Sequence, residues 1–596
     1  MTAPLTTLEP GKKFGRGWIL QASFSPDGSI LAVATSTGIE LIDAEGDHPT
    51  EILPSPGGYV TCLAFHPKRD VLASGSNRGM ITTWDVKHKK PSGAFTGHAG
   101  DINAICFDAK GTMLVSASDD KTVRVWEFKS GACKQVLAGH ETAVESCAIS
   151  PDGSLLVSGS TDGVICIWDS AKGALIKSFP GHAGSVSSLC FSPDGSTFVS
   201  GSWDLTATAW DAKNASPLFS LKGHRDFVSG AVFLPGGETI ATSCFDGAVR
   251  LWSAVNGQEK RTRYAHHSYI STLCAHPKKN LLATGGWDQS LIVYDTEART
   301  EVKKIDEYSA PLWSAAINPE GSMIACGSRD NTVYVYDTAT GKRTALLRGH
   351  ANDVNAVQFS PDGKLLATGS DDHTVRLWEV KTLQQHTLFS GHEDYVDSVA
   401  FSRDGKYLLS GADDATIRIW DIAAGQEVKK LIGNTDFVWS LAVSPADALV
   451  ASGCRDGSIR LWDMETMRMT GILEGHAGSV FSLCFSPDGR ALYSAAKDAS
   501  LRKWDIATRR SQIIDGAFTS IWSVAVHPEK GFLAAGIDSG AIVIIDAESE
   551  EEKLLLSGHT ATVNTLAFSS DGSVLISASD DGMCLLWDMH EVLKRF

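Results

Sequence analysis

The sequence has no long apolar stretch and no long block of basic residues. No run reaches the roughly 18 apolar residues of a membrane-spanning helix, and residues 1–14 are polar, without the apolar core of a signal peptide. The 596 residues carry a formal net charge of −17, which disfavours binding to nucleic acid or to an anionic membrane surface. We therefore expect a cytoplasmic protein that binds neither nucleic acid nor membranes.

Motifs for metals, disulfides and nucleotides are missing too. The twelve cysteines include no Cys-x-x-Cys pair. Cys106, Cys190, Cys274 and Cys484 each stand twenty residues before a recurring Trp or Tyr, so we interpret them as small buried residues rather than metal ligands. The chain has no phosphate-binding Gly-x-x-x-x-Gly-Lys-Ser/Thr motif, no His-Glu-x-x-His and no dinucleotide-binding glycine pattern. We expect no cofactor, no metal and no disulfide.

What the sequence does contain is one motif repeated at intervals of 42 residues. Its last two residues are Trp84-Asp85, Trp126-Glu127, Trp168-Asp169, Trp210-Asp211, Trp252-Ser253, Tyr294-Asp295, Tyr336-Asp337, Trp378-Glu379, Trp420-Asp421, Trp462-Asp463 and Trp504-Asp505. Ile42-Asp43 precedes them in phase, and Ile545-Asp546 and Trp587-Asp588 follow after one deletion. A period near forty that ends in Trp-Asp is typical of four-stranded propeller blades, so the chain is predicted to contain fourteen blades.

The local pattern predicts four strands in each unit. In residues 98–140 we expect strands at 102–107, 113–116, 122–126 and 134–137, from alternating or continuous apolar residues bounded by turn residues. A Ser-Pro-Asp-Gly turn recurs, and its glycine tolerates the positive φ that such a tight connection requires. These turns begin at Ser25, Ser150, Ser192, Ser360 and Ser486.

Fourteen blades predict two rings, because propellers hold about four to eight blades. We expect an all-β protein with two seven-bladed propellers in tandem, at 1–305 and 306–596. The period continues through the boundary, which predicts rigidly linked rings. The strand that closes each ring stays open: the candidates are His590–Arg595 for the second ring, and either Glu301–Ile305 or a strand near Leu5–Glu9 for the first.

The repeat resembles the WD40 family: Gly-His is followed after 22 residues by Asp and six residues later by Trp. Nine histidines are in phase, at His98, His140, His182, His224, His266, His350, His392, His476 and His559. The resemblance implies structural tetrads in which a His, a Ser or Thr hydroxyl, an Asp and a Trp are joined by hydrogen bonds. They map to His98, Ser116, Asp120, Trp126; His140, Ser158, Asp162, Trp168; His182, Ser200, Asp204, Trp210; His224, Thr242, Asp246, Trp252; His350, Thr368, Asp372, Trp378; His392, Ser410, Asp414, Trp420; His476, Ser494, Asp498, Trp504; and His559, Ser577, Asp581, Trp587.

Five units depart from this pattern at the His, the hydroxyl or the Asp. Units one, two and thirteen have Ser36, Arg78 and Ser539 in the Asp position, unit eleven has Asn434 for the His, and unit eight has Cys326 for the hydroxyl. We expect these blades to be held by packing and strand pairing alone.

The repeated sets of hydroxyl, His and Asp raise the possibility of nucleophilic catalysis. A catalytic triad occurs once, in a cleft, beside an oxyanion hole, whereas these sets recur eight times at fixed spacing. We therefore interpret them as architecture, and predict no catalytic residue and no enzyme. A hydrolase that uses one of the sets is the third-ranked alternative.

Six tryptophans fall outside the blade-ending position, and they point to function. They lie at the loops that open on one face of each ring, together with other aromatic and basic residues, and such side chains are typical of binding hot spots. The predicted partner-binding rim contains Trp18, Trp203, Phe227, Phe245, Tyr269, Trp287, Trp313, Arg329, Tyr395, Phe437, Trp439, Arg455, Phe481, Lys497 and Trp522. The structural alternative is that Trp313, Trp439 and Trp522 plug the mouth of a central channel.

The sequence therefore predicts a scaffold or adaptor that binds protein or peptide partners, including a multi-subunit complex, on its rim faces. The alternative from another class is a regulator that promotes actin-filament disassembly, because some tandem fourteen-blade proteins look similar in architecture. The blades here lie near the repeat consensus, which speaks against that lineage.

Overall fold

The chain is built from fourteen β-sheets in two units. The computed structural model describes residues 7–44, 46, 51–55, 58–514 and 520–595, and within them lie 57 strands and one short helix. One compact unit is Gly17–Tyr308, and the other joins Met1–Arg16 to Ser309–Phe596. Each unit contains seven of the described sheets, which confirms the prediction of two seven-bladed propellers. We number the sheets as blades 1–14 in chain order.

The first propeller contains blades 1–7, each made of four consecutive strands. Strands β3 to β30 have the bounds Ile19–Phe24, Ile30–Thr35, Gly38–Asp43, Glu51–Pro54; Val60–Phe65, Val71–Ser76, Met80–Asp85, Lys90–Thr96; Ile102–Phe107, Met113–Ser118, Thr122–Glu127, Cys133–Ala138; Val144–Ile149, Leu155–Ser160, Val164–Asp169, Ala174–Pro180; Val186–Phe191, Thr197–Ser202, Ala207–Asp211, Pro217–Leu221; Val228–Phe233, Thr239–Cys244, Ala248–Ser253, Glu259–Tyr264; and Ile270–Ala275, Leu281–Gly286, Leu291–Asp295, Thr300–Ile305.

The second propeller contains blades 8–14 and two N-terminal strands, β1 (Thr7–Leu8) and β2 (Lys12–Phe14). Strands β31 to β57 have the bounds Leu312–Ile317, Met323–Ser328, Thr332–Asp337, Arg343–Arg348; Val354–Phe359, Leu365–Ser370, Thr374–Glu379, Gln384–Ser390; Val396–Phe401, Tyr407–Ala412, Thr416–Asp421, Gln426–Ile432; Val438–Val443, Leu449–Cys454, Ile459–Asp463, Arg468–Leu473; Val480–Phe485, Ala491–Ala496, Leu501–Asp505, Ser511–Ile514; Ile521–Val526, Phe532–Ile537, Ile542–Asp546, Glu552–Leu556; and Val563–Phe568, Val574–Ser579, Cys584–Asp588. Helix α1 (Met589–Leu593) follows.

Within a blade, strands a to d run from the channel outward in chain order, except that strand d of blade 14 is β2. The a strands of neighbouring blades contact one another and so surround the channel. In all fourteen described a strands the pairing register shifts at the second residue, as between Ile102 and Ala104. That residue, which we call the bulge position, has no partner directly opposite it on strand b. A bulge changes the direction in which a side chain points, and the same bulge recurs in every strand a around the channel.

The hydrophobic core is divided among the spaces between blades. Val115, Val123 and Val125 of blade 3 pack in one buried cluster with Leu156 and Trp168 of blade 4. The Trp that ends one repeat thus covers the face of the preceding blade. Replacing such a buried Trp with Ala costs about 3–5 kcal/mol, so the repeated Trp serves packing as well as hydrogen bonding.

The Ser-Pro-Asp-Gly turns take the conformation that their sequence predicts. Gly153 has φ 77°, and its N–H donates to the Ser150 carbonyl at 2.8 Å. Ser150 Oγ donates to Asp152 Oδ1 at 2.6 Å, which also accepts from the Ser154 N–H at 3.0 Å. These hydrogen bonds lower the pKa of Asp152 to about 2 and hold the link between strands a and b.

The closing strand of the second ring comes from the N-terminus, and each candidate strand named from the sequence is wrong. Lys12–Phe14 pairs antiparallel with Cys584–Asp588 and supplies the outer strand of blade 14. The segment 590–595 cannot do so because Met589–Leu593 is helical, with the Asp588 side chain accepting from the N–H groups of His590 and Glu591.

The other two candidates lie elsewhere. Thr7–Leu8 pairs in parallel with Glu552–Leu556 of blade 13, and Leu5 and Thr6 lie outside the described residues. Thr300–Ile305 is the ordinary outer strand of blade 7. Within the described residues the first ring closes without an exchanged strand, and Ser271 Oγ donates to the Ile19 carbonyl at 3.1 Å between its last and first blades. The described residues 7–16, placed with the first domain from the sequence, group with the second unit.

Candidate functional site

Six blades contain the complete hydrogen-bonded tetrad. In blades 3, 5, 9, 10, 12 and 14 the His Nδ1 lies 2.7–3.1 Å from the Asp carboxylate. Its Nε2 lies 2.6–2.8 Å from the Ser or Thr hydroxyl. The indole N–H donates to the same hydroxyl at 2.7–3.0 Å. The hydroxyl must then donate to Nε2, which fixes the His with its proton on Nδ1.

Blades 4 and 6 depart from the geometry that the resemblance implies. In blade 4 His140 Nδ1 donates to Ser160 Oγ at 2.9 Å, and Ser160 in turn donates to Asp162 Oδ1 at 2.6 Å. In blade 6 Asp246 pairs with Arg250 at 2.6 Å instead, and the buried His224 Nδ1 has no hydrogen-bond partner. Burial lowers the pKa of both His140 and His224 to about 4.

Three blades expected to rely on packing and strand pairing alone keep part of the network, so that expectation is wrong for them. In blade 2 the Trp84 N–H donates to Ser74 Oγ at 2.8 Å. In blade 11 Ser452 Oγ donates to Asn434 Oδ1 at 3.1 Å. In blade 8 the buried Tyr334 hydroxyl donates to Asp330 at 2.7 Å.

The tetrads cannot present a nucleophile to a substrate. All eight Ser and Thr hydroxyl residues of the predicted sets are 0% exposed, and each hydroxyl already bonds an indole N–H and an imidazole. Burial alone would raise the pKa of Asp120, but hydrogen bonds from Thr122 and His98 lower it to about 2. These sets therefore join neighbouring strands by hydrogen bonds, and none of their hydroxyl groups is exposed in a cleft.

The cysteines behave as thiols. All twelve are free cysteines that form no disulfide. Four of them are half-buried rather than fully buried as the sequence suggested: Cys106, Cys190, Cys274 and Cys484. Burial raises the pKa of Cys274 to about 12 and that of Cys484 to about 11, so neither is a thiolate at neutral pH. Among the described residues, no cluster of His, Cys, Asp and Glu is arranged to hold a metal ion.

The rim of the first propeller carries five aromatic rings in continuous contact. We call Trp203, Phe227, Phe245, Tyr269 and Trp287 the aromatic ribbon. Successive ring centroids are 5.2, 5.8, 4.9 and 5.9 Å apart, and the first and third pairs are stacked. The four residues other than Phe245 are 36–46% exposed. The ribbon crosses blades 5–7 on the face where the d-to-a and b-to-c loops open.

Backbone hydrogen bonds between loops position the ribbon. The Phe245 N–H donates to the Phe227 carbonyl at 2.8 Å, and the Trp287 N–H donates to the Tyr269 carbonyl at 2.8 Å. Each of these two blades therefore presents a pair of rings, one from the d-to-a loop and one from the b-to-c loop. The fold requires the loop contact but not an aromatic side chain at these positions.

The second propeller collects its rim aromatics around the channel mouth. Trp439, Phe481 and Trp522 form a stack with centroid separations of 5.4 and 4.2 Å and interplanar angles of 10° and 6°. Together with Trp313 and Tyr395 they line a cavity of 530 Å³. We call this space the channel-mouth cavity, and the three stacked rings its aromatic wall.

The remaining rim residues form smaller groups. Arg455 lies over the Phe437 ring at 4.8 Å, and Arg329 lies over Trp313 at 5.3 Å. Trp18 contacts Tyr59, with ring centroids 5.7 Å apart. Lys497 is exposed beside blade 12. The structure thus brings the predicted rim residues together in two main sets, the aromatic ribbon and the channel mouth.

Carboxyl groups beside the aromatic wall were not identified from the sequence. Asp353, Asp371 and Asp397 line the same cavity, and Asp413 accepts from the Trp439 indole N–H at 3.2 Å. Asp397 occupies a bulge position, as do Trp439 and Phe481. Aligning all fourteen repeats at the residue after the first apolar residue of strand a would have identified it.

Comparison with known families agrees with this architecture. The family model described as "IFT122 first beta-propeller" matches residues 101–314 and 395–591, more than half of the chain. The chain belongs to this family of WD40 β-propellers. The model "Echinoderm microtubule-associated protein second beta-propeller" matches 270–437, and "WD domain, G-beta repeat" matches 48–85.

Individual relatives match short segments of this WD40 chain. Human "Serine-threonine kinase receptor-associated protein" is 38% identical over 68 residues, 11% of this chain and 19% of that protein. From Schizosaccharomyces pombe, "Set1 complex component swd1" is 36% identical over 59 residues (10% and 15%), and "Target of rapamycin complex subunit wat1" is 33% identical over 81 residues (13% and 26%). The chain therefore spans between 15% and 26% of the length of these relatives.

Proposed function

We propose that the protein is a non-enzymatic scaffold that binds protein or peptide partners on the rim faces of its two propellers. The observation that carries this proposal is the aromatic ribbon. Its five rings are out of phase with the tetrads and contact one another in series, and four of them are exposed to solvent. Single exposed apolar residues are ordinary on protein surfaces, but a contiguous patch of them marks an interaction site.

The energetics of aromatic side chains support this use of the ribbon. Each ring has few rotatable bonds, and contact with its neighbours already restricts them, so little side-chain entropy remains to be lost on binding. Trp and Tyr are also the residue types that contribute most at protein interfaces. The ribbon is therefore a preorganised surface for a peptide or a protein edge.

Membership in a larger assembly is part of the proposal. Two relatives are named as a component of one complex and a subunit of another, and two binding faces on one chain would allow this protein to bridge partners. A cytoplasmic location is part of the same proposal. No helix in the described part of the chain is long and apolar enough to cross a membrane.

The test is partner recovery from a lysate of the source cells with matched variants. The rim variant changes Trp203, Trp287, Trp439 and Trp522 to Ala. The control variant changes four exposed apolar residues away from the rim, Val136, Ile176, Leu218 and Val255, to Ala. We expect the rim variant, folded as judged by circular dichroism, to lose specific partners that the wild type and the control both retain. Equal recovery by all three proteins would refute the proposal.

The two alternatives from the sequence have direct tests. Co-sedimentation with filamentous actin measures the filament binding on which the actin-disassembly alternative depends. If the protein does not pellet with filaments, that alternative is refuted. A fluorophosphonate probe would label a reactive Ser if one tetrad were catalytic. We expect no labelling, because the tetrad hydroxyls are buried and engaged by His and Trp.

A further inference from the structure

Each propeller has seven bulge positions, and the residues that occupy them differ between the two rings. In the first propeller they hold Leu20, Thr61, Asn103, Glu145, Ser187, Ser229 and Ser271. Several of these side chains donate hydrogen bonds to the neighbouring blade. Asn103 donates to the Val144 carbonyl at 3.1 Å and Ser187 to the Val228 carbonyl at 2.5 Å. Small polar residues at this position therefore serve the fold.

In the second propeller the bulge positions hold Trp313, Asn355, Asp397, Trp439, Phe481, Trp522 and Asn564. Asn355 and Asn564 still bond to the next blade, at 3.4 and 2.9 Å. The other five are four large aromatic residues and one acid. Since the first ring closes with no aromatic residue at a bulge position, the fold does not require the aromatic residues, and all five side chains line the channel-mouth cavity.

The acidic side of the cavity lacks compensating charge. Of the residues that line it, three are aspartates and none is Lys, Arg or His. Asn355 donates to Asp371 Oδ1 at 2.6 Å and to Asp397 Oδ1 at 3.1 Å. No N–H or O–H donor among the described residues reaches the buried second oxygen of Asp397, and the Asp397 carboxyl contacts the Asp413 carboxyl instead. Two carboxyl groups this close repel each other when both are ionised, and a bound cation would relieve that repulsion.

Burial and the neighbouring carboxyl groups also disfavour the ionised form of Asp397. Burial together with Asp413, Asp371 and Asp394 raises the pKa of Asp397 well above its ordinary value. The basic groups lie at the edge of this carboxyl cluster. Arg329, whose side chain is half-exposed, has its Nε 3.7 Å from Asp353, and the proximity of His373 lowers the pKa of Asp371. Neither contacts the Asp397 carboxyl. The cavity therefore holds an excess of carboxyl groups beside three flat rings.

We propose that the channel-mouth cavity of the second propeller binds an arginine side chain of a partner peptide. A guanidinium stacks on aromatic faces and donates up to five hydrogen bonds in a planar array, which suits a stacked wall beside several separate carboxyls. A small metal ion needs oxygen ligands at close spacing and gains nothing from aromatic walls, whereas an organic cation gains from both.

This inference rests on the proposed function, since it names the chemistry of a partner on the second rim face. Its test needs no lysate partner, so the two can fail separately. Peptides of sequence Gly-Ser-Xaa-Ser-Gly with blocked ends, where Xaa is arginine, lysine, citrulline or norleucine, are titrated into the full-length protein by calorimetry up to millimolar peptide. We expect arginine to bind at least about tenfold more tightly than citrulline, its neutral analogue.

Two variants locate the binding and one controls for charge. Asp397→Asn should weaken arginine-peptide binding about tenfold or more, and Trp522→Leu should weaken it too by removing a ring of the wall. Glu145→Gln, at a bulge position of the first propeller, should leave binding unchanged. Asp397→Asn should also keep or raise the melting temperature, because it removes a repelled carboxyl group.

Several results would overturn the inference. Absence of binding by the folded wild type, or equal binding of the citrulline peptide, would show that the cavity does not recognise the cation. Equal affinity for lysine would refute the assignment to arginine. Unchanged binding by Asp397→Asn would show that the peptide binds elsewhere. None of these results would alter partner recovery through the aromatic ribbon, which a lysate experiment with only Trp203 and Trp287 changed to Ala measures independently.

Discussion

Replacing Phe14 with Ala should open the second propeller, although Phe14 lies some three hundred residues from that ring in sequence. The side chain is 1% exposed and belongs to a buried cluster with Leu312, Tyr336 and Ile576. Its ring centroid lies 5.5 Å from that of Tyr336. A buried Phe→Ala change costs about 3–5 kcal/mol, and here the loss falls on the strand that closes the ring.

The magnitude can be measured by hydrogen exchange, because opening of one blade exposes its amides without unfolding the rest. A loss of about 3–5 kcal/mol corresponds to roughly two to four orders of magnitude faster exchange through that opening. We expect this in Cys584–Asp588, which pairs with Lys12–Phe14, and in the adjoining Thr332–Asp337. Strands of the first propeller should exchange as in the wild type.

Lys13→Ala is the matched control. Lys13 lies in the same strand but is exposed, and surface substitutions usually change stability by less than about 0.5 kcal/mol. Faster exchange in the first propeller after Phe14→Ala, or unchanged exchange in both propellers, would refute the closure that we describe.

Other predictions concern the turns and the tetrad histidines. Gly111→Ala should destabilise the protein more than Gly153→Ala in thermal unfolding: both glycines have positive φ, which costs alanine about 1–2 kcal/mol, but only at Gly111 would the new Cβ lie 2.3 Å from the His66 ring. Equal losses would show that His66 moves freely. A second prediction is that stability falls as pH drops from about 6.5 to about 4, because His140 and His224 have folded pKa values of about 4 against about 6.5 unfolded. The unfolded chain takes up protons first in that window, so the contribution of these residues is complete above pH 6.5 and lost on acidification. Changing both to Gln should flatten the slope in urea titrations at each pH; an unchanged slope would contradict their lowered pKa values.

The repeat period predicted the fold well because each blade is specified locally. The strands expected in residues 98–140 match β11 to β14 to within a residue or two, since alternation, turn residues and the Trp position recur in every unit. Ring closure could not be predicted in the same way. The pairing of Lys12–Phe14 with Cys584–Asp588 depends on a short strand, whose three residues carry no repeat signal.

The candidate site was predictable in part. Periodicity separated the rim aromatics from the structural tryptophans, but it could not show that Trp203 to Trp287 form one ribbon while Trp439, Phe481 and Trp522 stack around a channel. That difference arises from loop geometry and from the bulge on strand a. The sequence also did not predict that Asp246 pairs with Arg250, four residues away, instead of with His224.

The most direct test of the central claim is site-specific photo-crosslinking with the partner recovered from the lysate. A photoreactive phenylalanine analogue is placed at Phe227 in the aromatic ribbon and, separately, at Ile176 on the outer strand of blade 4, which is 56% exposed. We predict an adduct with the partner from position 227 and none from position 176. An adduct from position 176 alone would contradict the assignment of function to the rim.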